Sequence, residues 1–235
     1  MTAVVPVFAR LLGRLNTRSP LTVLNTSLAV LVAYLMLRPE GPVGAYVKSV
    51  RQSAAQRTAV AHSWGKLNSE GGYLGASDAN GRELVEFSDY QCPFCKRLQA
   101  RLETLVVKEP SLVIRFRHFP LAGHPFARPA ALASICAEGQ ARFASFHRRL
   151  FTVTRWEREP NWSREAQAAG IRDLRAFRRC LADTTTLRRL ERDVALAESL
   201  RVTATPTLFS PFGRLQGFAS DSALLGLALG QHERH

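Results

Sequence analysis

The tetrapeptide Cys92-Pro93-Phe94-Cys95 constrains this chain more than any other feature. It follows a strand-like run, Leu84-Val85-Glu86-Phe87, and opens a helix-like run from Lys96 to Lys108. Two thiols three residues apart at a helix start can close a small disulfide. The first thiol also faces the unpaired N–H groups and the positive dipole end of the helix, which favour a thiolate. Such a pair is a reagent for thiol–disulfide exchange. Half of a zinc site has the same spacing, but the strand–motif–helix context favours redox chemistry over metal.

Two other cysteines, Cys136 and Cys180, complete the set. Four cysteines allow three pairings, and Cys92–Cys95 with Cys136–Cys180 is the natural one. Neither Cys136 nor Cys180 belongs to a second C-x-x-C, so a four-cysteine zinc ribbon lacks its other half-site. No metal and no cofactor are expected.

The N-terminal part reads as a membrane anchor. Leu21 to Leu37 carries no charge, and Leu28 to Leu37 is almost wholly apolar. Seventeen residues is near the lower limit for a spanning helix. Arg10, Arg14 and Arg18 precede it, which predicts a cytoplasmic N-terminus and an exported remainder. A cleaved signal peptide, with Val43-Gly44-Ala45 as the cleavage site, is the competing reading. A buried soluble helix is the third. Export places the cysteines in an oxidising compartment, where disulfides persist.

The formal net charge is +13. Much of the excess lies between Arg142 and Arg192, but Glu157, Glu159, Glu165, Asp173, Asp183 and Glu191 are interleaved there. That pattern predicts a solvated helical surface rather than a nucleic-acid face. Attraction to anionic lipid headgroups fits a tethered protein.

Residues 38–70 read as a juxtamembrane stalk, helical from about Val43 to Val60 and broken at Gly71-Gly72. Tyr73 to Gly81 has turn chemistry. The strand through Leu84–Phe87, the motif helix ended by Pro110, and a second strand, Leu112–Phe116, form a β-α-β unit with parallel strands. From Ala127 to about Leu200 apolar residues recur at helical spacing, predicting three or four helices. Strand character returns at Thr207–Phe209 and Arg214–Phe218. A closing helix runs from Ser220 to Leu229, capped by Ser220 or Asp221. The order β-α-β, helical insert, β-β-α is that of an α/β thioredoxin-like fold with an inserted helical domain. The expected organisation is a cytoplasmic basic segment at 1–20, an anchor at 21–37, a stalk at 38–70 and a thioredoxin-like domain at 71–235, with the insertion at about 124–200.

That order gives two further residues a role. Pro206, in Thr205-Pro206-Thr207, precedes the β-β hairpin, where a thioredoxin-like sheet holds a cis proline against the C-x-x-C. Glu86 lies in a strand whose neighbours are apolar, where a carboxylate is out of place. Beneath the motif helix it could relay the proton that Cys95 must lose; the alternative is a strand-edge Glu reaching solvent. His118, His124 and His147 have no metal spacing to the cysteines and read as core or surface histidines. Trp156 and Trp162 read as packing residues of the insert.

Three segments resemble DsbA-like thiol:disulfide oxidoreductases: Gly75-Ala76-Ser77-Asp78-Ala79 with Leu84 through Cys95; Arg117-His118-Phe119-Pro120-Leu121 with His124-Pro125; and Val202 through Phe209. They stand in the family's order within about residues 71–230. The resemblance implies Cys92 as nucleophile, Cys95 as resolving thiol, a bacterial envelope location, and unfolded secreted polypeptides as substrates. Thr205, Pro93 and Phe94 are expected to meet the substrate, and a membrane redox partner to recycle the dithiol. The dipeptide Pro93-Phe94 departs from the Pro-His of the best-known oxidases, and Phe94 cannot donate a hydrogen bond to a thiolate. A reductase or isomerase with the same parts, or a tethered chaperone-like binding module, are the alternative functions.

Overall fold

A computed structural model describes residues 20–75 and 82–231. The basic segment 1–19, and Ala76 to Gly81 of the expected turn, lie outside the described residues.

The chain divides into two compact units, at Met1–Ala55 and Gln56–His235. In the first, helix α1 spans Pro20–Leu37 and is ended by Arg38-Pro39. Leu28, Leu31, Tyr34 and Leu37 are exposed on it. Among the described residues, the helical stretch Ser27–Leu67 holds the one window long and apolar enough to cross a membrane. Helix α2, Pro42–Leu67, begins in this unit. Its last turns belong to the second unit, where Val60 and Leu67 are buried beside Val85, Phe87 and Phe209. The predicted stalk is therefore helical beyond Val60, and its end is part of a core.

The second unit is built on a five-stranded sheet. The strands are β1 (Tyr73–Leu74), β2 (Arg82–Ser88), β3 (Leu112–His118), β4 (Thr207–Ser210) and β5 (Gly213–Gln216), in the order β1-β3-β2-β4-β5. β2 and β3 are parallel, as a helical crossover requires. β4 runs antiparallel to β2 and β5 antiparallel to β4. β1 was not foreseen. Two residues give too short an alternation to detect, and its pairing with β3 through Ile114 and Arg115 is a tertiary event.

Between β2 and β3 runs helix α3, Pro93–Lys108. Pro93 at its first turn has the φ a helix start needs and no N–H to leave unpaired. Its buried residues, Cys95, Leu98, Gln99, Leu102 and Leu105, fall on one face at helical spacing. Alternation along β2 decides what that face meets. Leu84 packs in the cluster that holds Leu98, Leu102 and Leu208, while Val85 and Phe87 enter the opposite cluster. Glu86 shares parity with Leu84, so the strand turns its carboxylate toward α3. Each fully buried Leu or Phe here contributes roughly 2 kcal/mol of transfer free energy.

The insert contains five α-helices: α4 (Ala127–Glu138), α5 (Phe143–Thr152), α6 (Trp162–Ala168), α7 (Leu174–Leu181) and α8 (Thr184–Ser199). Three or four were expected; the extra division comes from polar caps at Asn161, Asp173 and Asp183, each of which accepts a backbone N–H of the helix it starts. Cys136 on α4 and Cys180 on α7 are joined by a disulfide across 44 residues. Trp156 is fully buried and donates to the Leu150 carbonyl. Arginines pair with the interleaved acids, as in Arg189–Glu138 and Arg149–Glu165. Helix α9, Asp221–Leu229, closes the fold, with Ser220 as its cap.

Candidate active site

The strand–motif–helix junction and the segment before β4 converge on one sulfur. Cys92 is the N-cap residue of α3, and no side chain caps that helix end. Its thiol donates to the main-chain carbonyl of Thr205 at 3.3 Å, across 113 residues of sequence. The Thr205–Pro206 bond is cis. Both Cys92 and Cys95 are free thiols. Cys92 is 4 % exposed and Cys95 is fully covered, whereas Phe94 between them is 49 % exposed.

The two sulfurs are electrostatically unlike. The Cys95 thiol, as a donor to its neighbour, pulls the Cys92 pKa down to about 5 against the cost of burial, helped by Thr205 and by the backbone N–H groups of Cys95 and Phe94. These N–H groups are the orphans of a helix start. In the thiol form Cys92 bonds to a carbonyl. The buried Thr205 hydroxyl has no hydrogen-bond partner among the described residues, so it can join the other donors on the sulfur once the proton is gone. Cys95 moves the other way: burial raises its pKa far above the ordinary thiol value, and the bond to Cys92 and the charge of Glu86 add to it. One thiol is thus prepared to attack, and the other holds its proton until something removes it.

Glu86, whose charge acts on Cys95, is a candidate to remove it. It is 1 % exposed, and its Oε2 has no hydrogen-bond partner among the described residues. Burial raises its pKa to about 7; the nearby Ser88 side chain lowers it, and the Cys92 charge raises it further. A carboxyl poised near neutrality beside two thiols can accept a proton in one step and return it in the next. The strand-edge reading is excluded, since β2 is flanked by β3 and β4.

The approach to the motif is fixed by a residue not singled out in the sequence. Asp89 is 2 % exposed and accepts from the Gln91 N–H at 2.7 Å and the Leu121 N–H at 2.8 Å, with His124 Nδ1 at 2.7 Å. The Gln91 side chain accepts from the Phe126 N–H at 2.6 Å. The chain leaving β3 is thereby tied to the chain entering the dithiol. An Asp two residues before Gln91 in a turn is the local signal that could have flagged it. His118 and His147 are both buried. Burial, with Arg189 and Arg117, holds the His118 pKa down to about 3, and burial also lowers that of His147. Both stay neutral in the core. Among the described residues no three His, Cys, Asp or Glu side chains cluster to hold a metal ion.

The thioredoxin family model matches residues 68–210, more than half of the chain. The chain belongs to the thioredoxin family. A thioredoxin-like oxidoreductase from Silicibacter pomeroyi DSS-3 superposes with a TM-score of 0.63 at 26% identity, over 70% of this chain and 94% of that one. DsbA2 of Pseudomonas aeruginosa superposes with a TM-score of 0.54 at 25% identity, over 66% and 90%. With these neighbours and its Cys-x-x-Cys pair, the domain is similar to DsbA-like thiol:disulfide oxidoreductases. By sequence the chain is also similar to the Na(+)/H(+) antiporter NhaA 3 of Salinispora tropica, 34% identical over 127 residues, which are 54% of this chain and 19% of that protein. The chain spans about a fifth of the length of the curated relatives it matches.

Proposed function

We propose that this protein exchanges disulfides with secreted or envelope polypeptides outside the cytoplasm, through Cys92 and Cys95. A substrate thiolate attacks the Cys92 sulfur of the oxidised pair, and Cys95 leaves as a thiolate that takes up a proton from Glu86. A second substrate thiolate then displaces Cys92 from the mixed disulfide. Two electrons pass to the protein and a disulfide to the substrate; Cys95 keeps the proton given by Glu86, Cys92 ends as the thiolate its low pKa favours, and the two protons released by the substrate thiols restore Glu86 and pass to solvent. A redox partner in the membrane reoxidises the dithiol. The observation that carries this reading is the Cys92 thiol at the start of α3, set against Thr205 and Pro206 and backed by a covered Cys95.

Pro206 offers no N–H at the sulfur, while the flanking backbone of Thr205 supplies strand-like contacts for an incoming peptide, and Pro93 and Phe94 form the rest of the contact. The Cys136–Cys180 disulfide supports an oxidising compartment. The apolar run of α1 supports a tether at residues 21–37, with 38–70 as the connection and 71–235 as the catalytic part. The likeness to a fifth of a Na(+)/H(+) antiporter is consistent with a domain that works at a membrane.

The low pKa of Cys92 favours the reduced state and therefore an oxidase. A reductase or isomerase of the same fold is the second reading, favoured by the absence of a hydrogen-bond donor on Phe94. The reduction potential of the pair, measured against glutathione, decides between them. A value near that of a strong oxidant supports the first, and one near that of thioredoxin the second.

A further inference from the structure

Beside the dithiol, two exposed phenylalanines hold an arginine between them. The Arg97 guanidinium lies 4.7 Å from the centre of the Phe94 ring and 5.8 Å from that of Phe218. Phe94, Arg97 and Arg101 follow one another at i, i+3 and i+7 along α3, so they share a face. Phe218 comes from the turn after β5, and that turn is fastened to the site. The Gly217 N–H donates to the Pro206 carbonyl at 2.8 Å, and Gly217 has a φ of +87°, which glycine adopts without strain. Phe94 and Phe218 therefore flank the dithiol from the helix side and from the proline side.

The two arginines of this patch differ in one respect. Arg101 sits 4.9 Å from the Phe218 ring and is neutralised by Asp221 at 2.8 Å. Arg97 has no carboxylate within ion-pair distance among the described residues. Both aromatic rings are nearly half exposed, at 49 % and 46 %. An uncompensated guanidinium flanked by apolar rings, next to a reacting sulfur, is a site for a carboxylate carried on an apolar background.

Building on the exchange activity proposed above, we infer that Arg97, oriented by Phe94 and Phe218, is a specificity determinant: it selects polypeptide cysteines that have an acidic residue beside them. The substrate carboxylate pairs with Arg97 as the substrate sulfur reaches Cys92, and its apolar neighbours cover Phe94 and Phe218. The contact orients the substrate and takes no part in the electron transfer. Two electrons still pass from the peptide dithiol to the Cys92–Cys95 disulfide.

The test uses the oxidised protein and three reduced dithiol peptides, alike except for Glu, Gln or Lys next to the reacting cysteine. A small uncharged dithiol serves as a fourth substrate. The expected order of kcat/KM is Glu, then Gln, then Lys, with about a tenfold span between the ends, which corresponds to about 1.4 kcal/mol. Added salt should narrow that span. Within each variant the ratio of Glu-peptide to Lys-peptide rates is the readout. Arg97→Gln should bring it near one, Arg97→Glu should invert it, and Phe218→Ala should reduce it by releasing the guanidinium. Equal rates for the three peptides with the unaltered protein, or a ratio unchanged in Arg97→Gln, would overturn the inference while leaving the exchange activity standing. Failure to oxidise even the small dithiol would overturn both.

Discussion

The charge of the Glu86 carboxylate raises the cost of ionising the Cys95 thiol, both groups being buried under the start of α3. Neither reaches water. Once Cys92 is tied up in a mixed disulfide, a proton leaving Cys95 has the Glu86 carboxylate as its candidate acceptor, and the arrangement has consequences for both rate and stability.

Glu86→Gln should slow every step in which Cys95 gains or loses a proton, by about a hundredfold if Glu86 acts as a general acid and base. Alkylation of Cys92 should change much less. The slowed steps should also lose their dependence on a group titrating near 7. A merely structural Glu86 would leave that pH profile in place. Stability carries a separate signature. The folded pKa lies above the ordinary 4.5, so the folded state binds the extra proton between about 4.5 and 7, and stability falls as pH rises through that window. Glu86→Gln should therefore stabilise the protein more at about pH 8 than at about pH 4, as read from denaturant midpoints.

Asp89→Ala removes the acceptor of two backbone N–H groups and of His124. Leaving buried donors unpaired costs about 1–3 kcal/mol each, so a loss of about 3 kcal/mol is expected. Amide exchange should rise first at Gln91 and Leu121.

Arg117 and Asp193 form the most deeply buried ion pair among the described residues, at 2.7 Å with both side chains nearly inaccessible. Arg117 also donates to the carbonyls of Lys66 and Leu67, binding the end of α2 to α8. Arg117→Met strands Asp193, whose pKa burial already raises. A loss of about 3–5 kcal/mol is expected. The double variant Arg117→Met with Asp193→Leu should recover part of it, and urea denaturation of the three proteins measures how much.

The order of elements was legible because β2, β3 and α3 each announce themselves locally. Leu84–Phe87 and Leu112–Phe116 are apolar runs interrupted only by Glu86 and Arg115, close to what buried parallel strands show. Pro93 and Pro110 bracket the helix between them. The candidate site was legible for the same reason, since Cys92 and Cys95 sit at the start of α3 and Pro206 directly before β4. What escaped was set by distant partners. β1 exists only through its pairing with β3. The burial of Leu67 depends on Val85 and Phe209. Asp89 gains its meaning from Leu121 and His124, and Arg97 from Phe218, contacts that spacing along one segment does not encode. The five-helix division of the insert turned on caps rather than on periodicity.

Reduced Cys92 should titrate near pH 5, followed by the ultraviolet absorbance of the thiolate. Cys95→Ala removes the largest influence and should move the midpoint up toward the ordinary thiol value of 9.0. The folded pKa lies below the unfolded one, so the thiolate adds stability to the reduced protein above about pH 9. That contribution declines as pH falls from 9 to about 5 and is gone below it. The oxidised protein, which has no thiol to titrate at these positions, should show no such slope from this pair.

Acid quenching of the oxidised protein during its reaction with a reduced, unfolded polypeptide tests the exchange chemistry most directly. Mass mapping of the trapped mixed disulfide should find the substrate on Cys92, together with conversion of the substrate to its disulfide at a rate well above that of buffer alone. A substrate attached through Cys95, or no conversion above the buffer rate, would contradict the roles assigned to the two thiols.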